Sequence, residues 1–154
     1  KRRFALTEML RNLEELLQSD FRERGIRFML QCVPDPIETD GDPNQLSQVF
    51  LNLLKNAMQA LEGQADGRII LRVRRADRLQ VEIEDNGPGI PMEKRETVFD
   101  GFAKLDKFIP GAGLGLTISR ITAERIGGQL YIDDAYTDGC RFVLLLPATK
   151  YDEA

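Results

Sequence analysis

A chain of 154 residues, 42% hydrophobic and 30% charged, has the length and balance for one globular, soluble domain with a full core. Its net charge of −4 and pI near 5.0 argue against a broad nucleic-acid surface, while leaving room for a local anion cradle of amides, helix ends and a lysine or two. The absence of histidine removes Ser-His and Cys-His catalysis and the usual zinc site, and no apolar run approaches the roughly 18 residues of a membrane span. No secretory signal is present, and Cys32 and Cys140 lie in apolar, strand-like runs that read as reduced, buried thiols. No linker, repeat or low-complexity tract interrupts residues 1–154, which read as a single domain; the opening Lys1, without Met, suggests a piece of a longer protein.

In chain order, Arg2 to Leu6 alternates as a short strand. Thr7 is placed to cap a helix whose apolar face is Met9, Leu13, Leu16, Leu17 and Phe21, closed by Gly25. Ile26, Phe28, Leu30 and Cys32 alternate as a half-buried strand that Pro34-Asp35-Pro36 stops. The strongest helix signal follows: Asp42 as cap, Pro43 at the first helical position and Gln45 three after the cap. Leu46, Val49, Phe50, Leu53, Leu54, Ala57, Met58 and Leu61 then form one stripe. Asn52 and Asn56 sit one turn apart on its flank, although asparagine prefers caps and turns to helix interiors. Two readings stand for them: a side-chain hydrogen bond to a neighbouring element, or carboxamide oxygens turned into a pocket to hold magnesium.

Arg68 to Arg75 and Leu79 to Ile83 alternate on either side of Ala76-Asp77 as an antiparallel hairpin. The hairpin runs into Asp85-Asn86-Gly87-Pro88-Gly89-Ile90-Pro91, an acid at a strand end followed by a shaped, turn-rich loop. From Met92 to Pro110 the periodicity weakens; Phe99 and Phe102 are spaced like anchors, Lys104 and Lys107 are cationic, and the segment reads as a surface loop or a lid. Gly111-Ala112-Gly113-Leu114-Gly115-Leu116 then enters a helix on which Leu114, Ile118 and Ile121 share a face, with Gly127-Gly128 closing it. Glycines at alternate positions let the backbone approach a ligand, and a helix start offers amides and the positive end of a dipole, so this stretch reads as a phosphate cradle. It is neither G-x-G-x-x-G nor a Walker loop. Gln129 to Ile132 and Arg141 to Leu146 make two more strands joined through Thr137-Asp138-Gly139, and Lys150 to Ala154 is a polar tail.

Together and in this order, these stretches resemble the catalytic, ATP-binding domain of bacterial sensor histidine kinases, part of the superfamily that includes DNA gyrase, MutL-type repair proteins and the large heat-shock chaperone. The asparagine box is Asn52 to Ala57, the first glycine box Asp85 to Ile90, the phenylalanine box Phe99 and Phe102, and the second glycine box Gly111 to Leu116. The resemblance implies an α/β (α+β) two-layer sandwich, a mixed, largely antiparallel sheet with three main helices on one face. It implies ATP and Mg²⁺ as ligands, with Asp85 accepting from the adenine amino group and Gly87, Gly89 and Ile90 shaping the base pocket. Asn56 and Asn52 would orient the metal; Gly111, Gly113 and Gly115, with the Leu114 and Leu116 amides, would surround the triphosphate. Phe102 would border the nucleotide, and Lys104 would reach the γ-phosphate. Gln59 stands where many members carry lysine, Cys140 where serine or threonine is usual, and Asp100-Gly101 replaces an acid-proline pair.

The expected function is presentation of the γ-phosphate of Mg-ATP to a histidine on a separate dimerisation domain, with a response regulator downstream. The fragment itself carries no acceptor histidine, binds no nucleic acid and does not enter a membrane; it is expected in the cytoplasm, whether or not its parent is an inner-membrane sensor. Two other readings are a stand-alone ATPase, which in such relatives places a glutamate where this chain has Asn52, and a degenerate nucleotide-gated interaction module.

Overall fold

The computed structural model describes residues 2–100 and 114–147. Strand β1 (Arg2–Ala5) passes directly into helix α1 (Leu6–Glu23), so the strand is a residue shorter than the alternation suggested. Thr7 does not cap α1; it is buried in the first turn, where its hydroxyl accepts the Ile37 amide at 2.8 Å. The orphan amides of Leu6 and Thr7 instead donate to the Ile37 carbonyl, at 2.9 and 3.3 Å, so a distant segment does the capping. The buried face of α1 is Leu6, Leu10, Leu13, Leu17 and Phe21, and Leu16, expected on it, stands 67% exposed. Gly25, at φ +68, ends the helix as expected.

Strand β2 (Arg27–Val33) follows, then β3 (Glu38–Gly41), which pairs antiparallel with β1. The sequence does not announce β3, because in Glu-Thr-Asp-Gly only Thr39 favours a strand; pairing with β1 makes it one. Helix α2 (Pro43–Ala60) is capped as read, Asp42 accepting from the Asn44 and Gln45 amides at 2.9 and 3.4 Å. Strands β4 (Arg68–Arg75) and β5 (Leu79–Asp85) form the expected hairpin. Two 3₁₀ turns, Met92–Lys94 and Thr97–Phe99, precede helix α3 (Gly115–Arg125). The chain then returns as β6 (Gln129–Ile132) and β7 (Cys140–Leu145).

The main sheet runs β2-β4-β5-β7-β6, parallel between β2 and β4 and antiparallel elsewhere, the mixed, largely antiparallel α+β layer expected. Period-two alternation sends Ile69, Leu71, Val73, Val81, Ile83, Leu130, Phe142 and Leu144 inward, into one core with the apolar faces of the helices. On the opposite face, Glu82 and Glu84 are only 4% and 6% exposed, yet each is satisfied. Arg72 bridges both at 3.1 and 2.9 Å, Arg74 reaches Glu82 at 3.0 Å, and Arg141 reaches Glu84 at 2.9 Å. This ladder roofs the sheet with paired charge in place of a second helical layer. Of the cysteines, Cys140 is buried, whereas Cys32 is only half-buried, on the inner face of an edge strand. Among the described residues no helix is long and apolar enough to cross a membrane.

Candidate functional site

Alternation on β5 places Leu79, Val81 and Ile83 on the inner face and then, at the next inward position, a carboxylate: Asp85, 2% exposed. A buried carboxylate is costly unless it is hydrogen-bonded. Its Oδ1 accepts from the Gly87 amide at 2.9 Å, and the Cys140 amide across the strand pair also donates to it. Burial pushes this carboxyl above its usual range, the two amides pull it back, and the neighbouring Glu84 charge adds to the push. Because the bond at position 140 comes from the main chain, cysteine supplies it as well as any residue. The Cys140 thiol itself is pushed up to about 12 by burial and by the Asp85 charge.

The loop after Asp85 is built for close approach. A Cβ on Gly87 would lie 2.9 Å from Asp85 Oδ1 and 3.1 Å from the Ala60 carbonyl at the end of α2. Gly89, at φ +77, and Gly139, at φ +153, press backbone on backbone: a Cβ on Gly139 would come within 2.0 Å of the Asp85 carbonyl oxygen. Asn86, which the sequence offers only as a turn residue, staples the loop to the α2–β4 connection. Its side chain accepts from the Arg68 amide at 2.7 Å and donates to the Asp66 carbonyl at 3.0 Å, while Gln64 donates to its carbonyl at 2.9 Å. Ile90 is half-buried against the core.

One and two turns back along α2 from Ala60, Asn56 and Asn52 are both half-buried on the flank read from sequence. Asn52 Nδ2 donates to Ser119 Oγ of α3 at 3.4 Å, and the Gly115 position faces the same carboxamide, a Cβ there reaching 3.7 Å from its Cγ. The first of the two readings of Asn52 is thus met, its nitrogen being spent on a neighbouring helix, while its oxygen is left as an acceptor. The Asn56 carboxamide bonds to no described residue. Gln59 is exposed near the helix end. From Asn52 to Ala60 is about 12 Å along the helix, so α2 spans the distance between a glycine-bordered amide end and a glycine-bordered carboxylate end.

Phe99 is buried; it meets Phe142 edge-to-face at 6.0 Å and lies under the Arg120 guanidinium at 4.4 Å. Thr117 donates to the Phe99 carbonyl at 2.8 Å, tying the first turn of α3 to the phenylalanine box. Leu116, Ser119 and Ala123 form the buried face of α3. The face that Leu114, Ile118 and Ile121 share, as read from the sequence, points outward at 44%, 52% and 45% exposure. Periodicity groups these three residues on one face without saying which way that face points. Phe102, Lys104, Gly111 and Gly113 lie outside the described residues. Among those described, no cluster of three or more His, Cys, Asp or Glu side chains is placed to hold a metal.

The sequence pattern of the family described as histidine kinase-, DNA gyrase B-, and HSP90-like ATPase matches residues 41–150. The chain belongs to that family. The sensory/regulatory protein RpfC of Xanthomonas campestris is 34% identical over 159 residues, which cover 96% of this chain and 22% of RpfC. The chain thus spans about a fifth of that relative's length. Among solved structures, the nucleotide-free catalytic domain of histidine kinase ThkA superposes with a TM-score of 0.84 at 26% identity, covering 94% of this chain and 95% of that one. ThkA has also been solved with the response regulator protein TrrA, at a TM-score of 0.80 and 26% identity, 96% of this chain matching 41% of that one. Full-length ShkA in complex with AMPPNP matches at 0.75 and 27% identity, over 94% of this chain and 31% of ShkA. The fold is that of histidine kinase catalytic domains.

Ser119, Gly139 and Tyr136 lie against Asn52 and Asp85, and only Gly139 is singled out by the sequence motifs. Ser119 carried a signal, a polar residue in the buried row between Leu116 and Ala123. Gly139 lies in the turn that leads to Cys140, and Tyr136 in the β6–β7 turn carries no sequence signal, since its partner lies 51 residues away.

Proposed function

We propose that the chain binds Mg-ATP along α2 and presents the γ-phosphate to a histidine on a separate helical dimerisation domain. The observation that carries this is Asp85: a carboxylate sealed from water, held by two amides, with acceptor capacity left over at the glycine-lined end of a core strand. An ionised carboxylate accepts and never donates, so it selects the amino edge of adenine over the carbonyl edge of guanine. Gly87 keeps a side chain off the Asp85 carboxylate, and Gly89 and Ile90 border the base pocket. One and two turns back along α2, the Asn56 and Asn52 oxygens, with the start of α3 at Gly115 and the Leu116 amide, suit a triphosphate and its metal, together with Leu114, Gly111 and Gly113. Two amide oxygens without a carboxylate cannot hold Mg²⁺ alone, which fits an ion that arrives with the phosphates and keeps most of its ligands from them and from water. Bound there, magnesium would screen the phosphate charge. Lys104 stabilises charge on the transferring group and Phe102 covers the nucleotide, while Gln59, exposed at the helix end, adds a polar contact without a cation.

The acceptor must come from elsewhere, because this chain has no histidine. The exposed stripe Leu114, Ile118 and Ile121, on the same helix whose start borders Asn52, is a surface of the kind that marks a protein partner. We assign it to the helical domain that carries the histidine, with a response regulator taking the phosphoryl group afterwards. A stand-alone ATPase is disfavoured: Asn52 cannot take a proton from water, and its nitrogen is committed to Ser119. The test is incubation with γ-labelled Mg-ATP. The chain alone should stay unlabelled and release phosphate far more slowly than about 1 s⁻¹, the low end of ordinary turnover, while its cognate histidine-bearing domain added in trans should acquire acid-labile label. Phosphate release at that rate, or label on a hydroxyl of this chain, would overturn the reading.

A further inference from the structure

The β6–β7 turn is fastened to the Asp85 loop from behind. Tyr136 Oη donates to the Asp85 main-chain carbonyl at 3.2 Å. Its ring lies on the Arg141 guanidinium at 4.4 Å, and Arg141 is held in turn by Glu84 at 3.0 Å and Asp133 at 3.0 Å. The turn is fixed internally, Asp133 accepting the Ala135 amide at 2.9 Å on its side chain and the Tyr136 amide at 3.3 Å on its carbonyl. Arg95 adds a second strap, donating to the Ile90 carbonyl at 3.0 Å while pairing with Asp134. Gly139 allows the approach, since any Cβ there would strike the same Asp85 carbonyl.

From this arrangement we propose that Tyr136 is a positioning residue for adenine recognition: it holds the peptide on which the Asp85 carboxylate rides, and so sets the aim of that carboxylate. The inference rests on the assignment of Asp85 to the base. The phenol touches the main chain behind the carboxylate, so it acts through Asp85. Its ring position does not depend on the hydroxyl, because the stack on Arg141 is formed by the ring face. Burial, and the Glu84 charge after it, raise the Tyr136 pKa, so the hydroxyl remains a donor at neutral pH. Asp85 already has its side chain fixed by the Gly87 and Cys140 amides and its neighbour stapled through Asn86. The carbonyl held by Tyr136 completes the restraint of this strand end on the side facing the β6–β7 turn.

The experiment is calorimetric titration of Mg-ATP and Mg-ITP, which carries a carbonyl oxygen in place of the adenine amino group, into wild type, Tyr136→Phe, Asp85→Asn and the double variant. Tyr136→Phe should weaken ATP binding about 5-fold, the worth of one hydrogen bond, and change ITP binding less than about 2-fold. In the Asp85→Asn background the same substitution should no longer affect ATP. An equal loss for ATP and ITP, a loss that persists without the Asp85 charge, or no loss at all would overturn the positioning role. A wild type that fails to prefer ATP over ITP overturns the base assignment beneath it, a result visible before any Tyr136 variant is made.

Discussion

Asp85 is held in the chain against the pull of stability. Its carboxyl pKa is raised, chiefly by burial, so the folded chain holds that proton more tightly than the unfolded chain does. The group therefore favours folding below its ordinary value of 3.8, and that contribution fades as the pH climbs through the folded pKa; at pH 7 the charge is a cost. Asp85→Asn keeps an oxygen for the Gly87 amide and removes the charge, so at pH 7 it should melt no lower than wild type in a thermal scan even as nucleotide binding weakens. A clear drop in its midpoint would show the carboxylate to be structural. Asp133 has the opposite sign: the Ala135 amide and Arg141 lower its pKa, so its contribution is present above 3.8 and lost on acidification. The cysteines make a second residue-scale contrast. With its thiol at about 12 and 5% exposed, Cys140 should resist an alkylating reagent at pH 8 in the folded chain, while half-buried Cys32 reacts first. Mass mapping of the label decides it, and faster modification of Cys140 would contradict the burial described.

Helix α2 connects the two ends of the site, and its own start is the place to test it without touching either end. Asp42→Ala removes the acceptor for two amides and should cost about 1 kcal/mol, lowering the melting midpoint by roughly 2–4 °C, with ATP affinity little changed in the folded fraction. A change in affinity much larger than the change in stability would mean that the cap shapes the site. Elements of this kind were legible from sequence, because cap chemistry and one long apolar stripe act locally. So was Asp85, an acid that interrupts an alternating strand where the next inward residue should be apolar. What sequence could not supply was the outcome of distant pairing. Strand β3 exists because β1 lies beside it, and α1 is capped by the Ile37 carbonyl because Thr7 is drawn into the core. Leu114, Ile118 and Ile121 face out because Leu116, Ser119 and Ala123 fit closer against α2. The Tyr136 hydroxyl reaches Asp85 only after two strands have been placed.

Over the whole molecule, one helical layer and one sheet divide the labour. The outer sheet face is closed by paired Arg and Glu side chains, and the helical side carries both the carboxylate-to-amide span and the exposed stripe of α3. The stripe can be changed apart from the nucleotide site: Ile118→Asp, at an exposed position, should shift stability within about 0.5 kcal/mol and leave ATP affinity intact. It should abolish labelling of the histidine-bearing domain in trans; labelling at the wild-type rate would place that partner elsewhere. Nucleotide recognition by this fold turns on whether Asp85 faces an adenine. Calorimetric titration of Mg-ATP into wild type and Asp85→Asn measures this directly. Loss of one charge-assisted hydrogen bond predicts weaker binding by roughly 1.5–3 kcal/mol in the variant, and equal affinities would remove Asp85, and the site built around it, from the nucleotide.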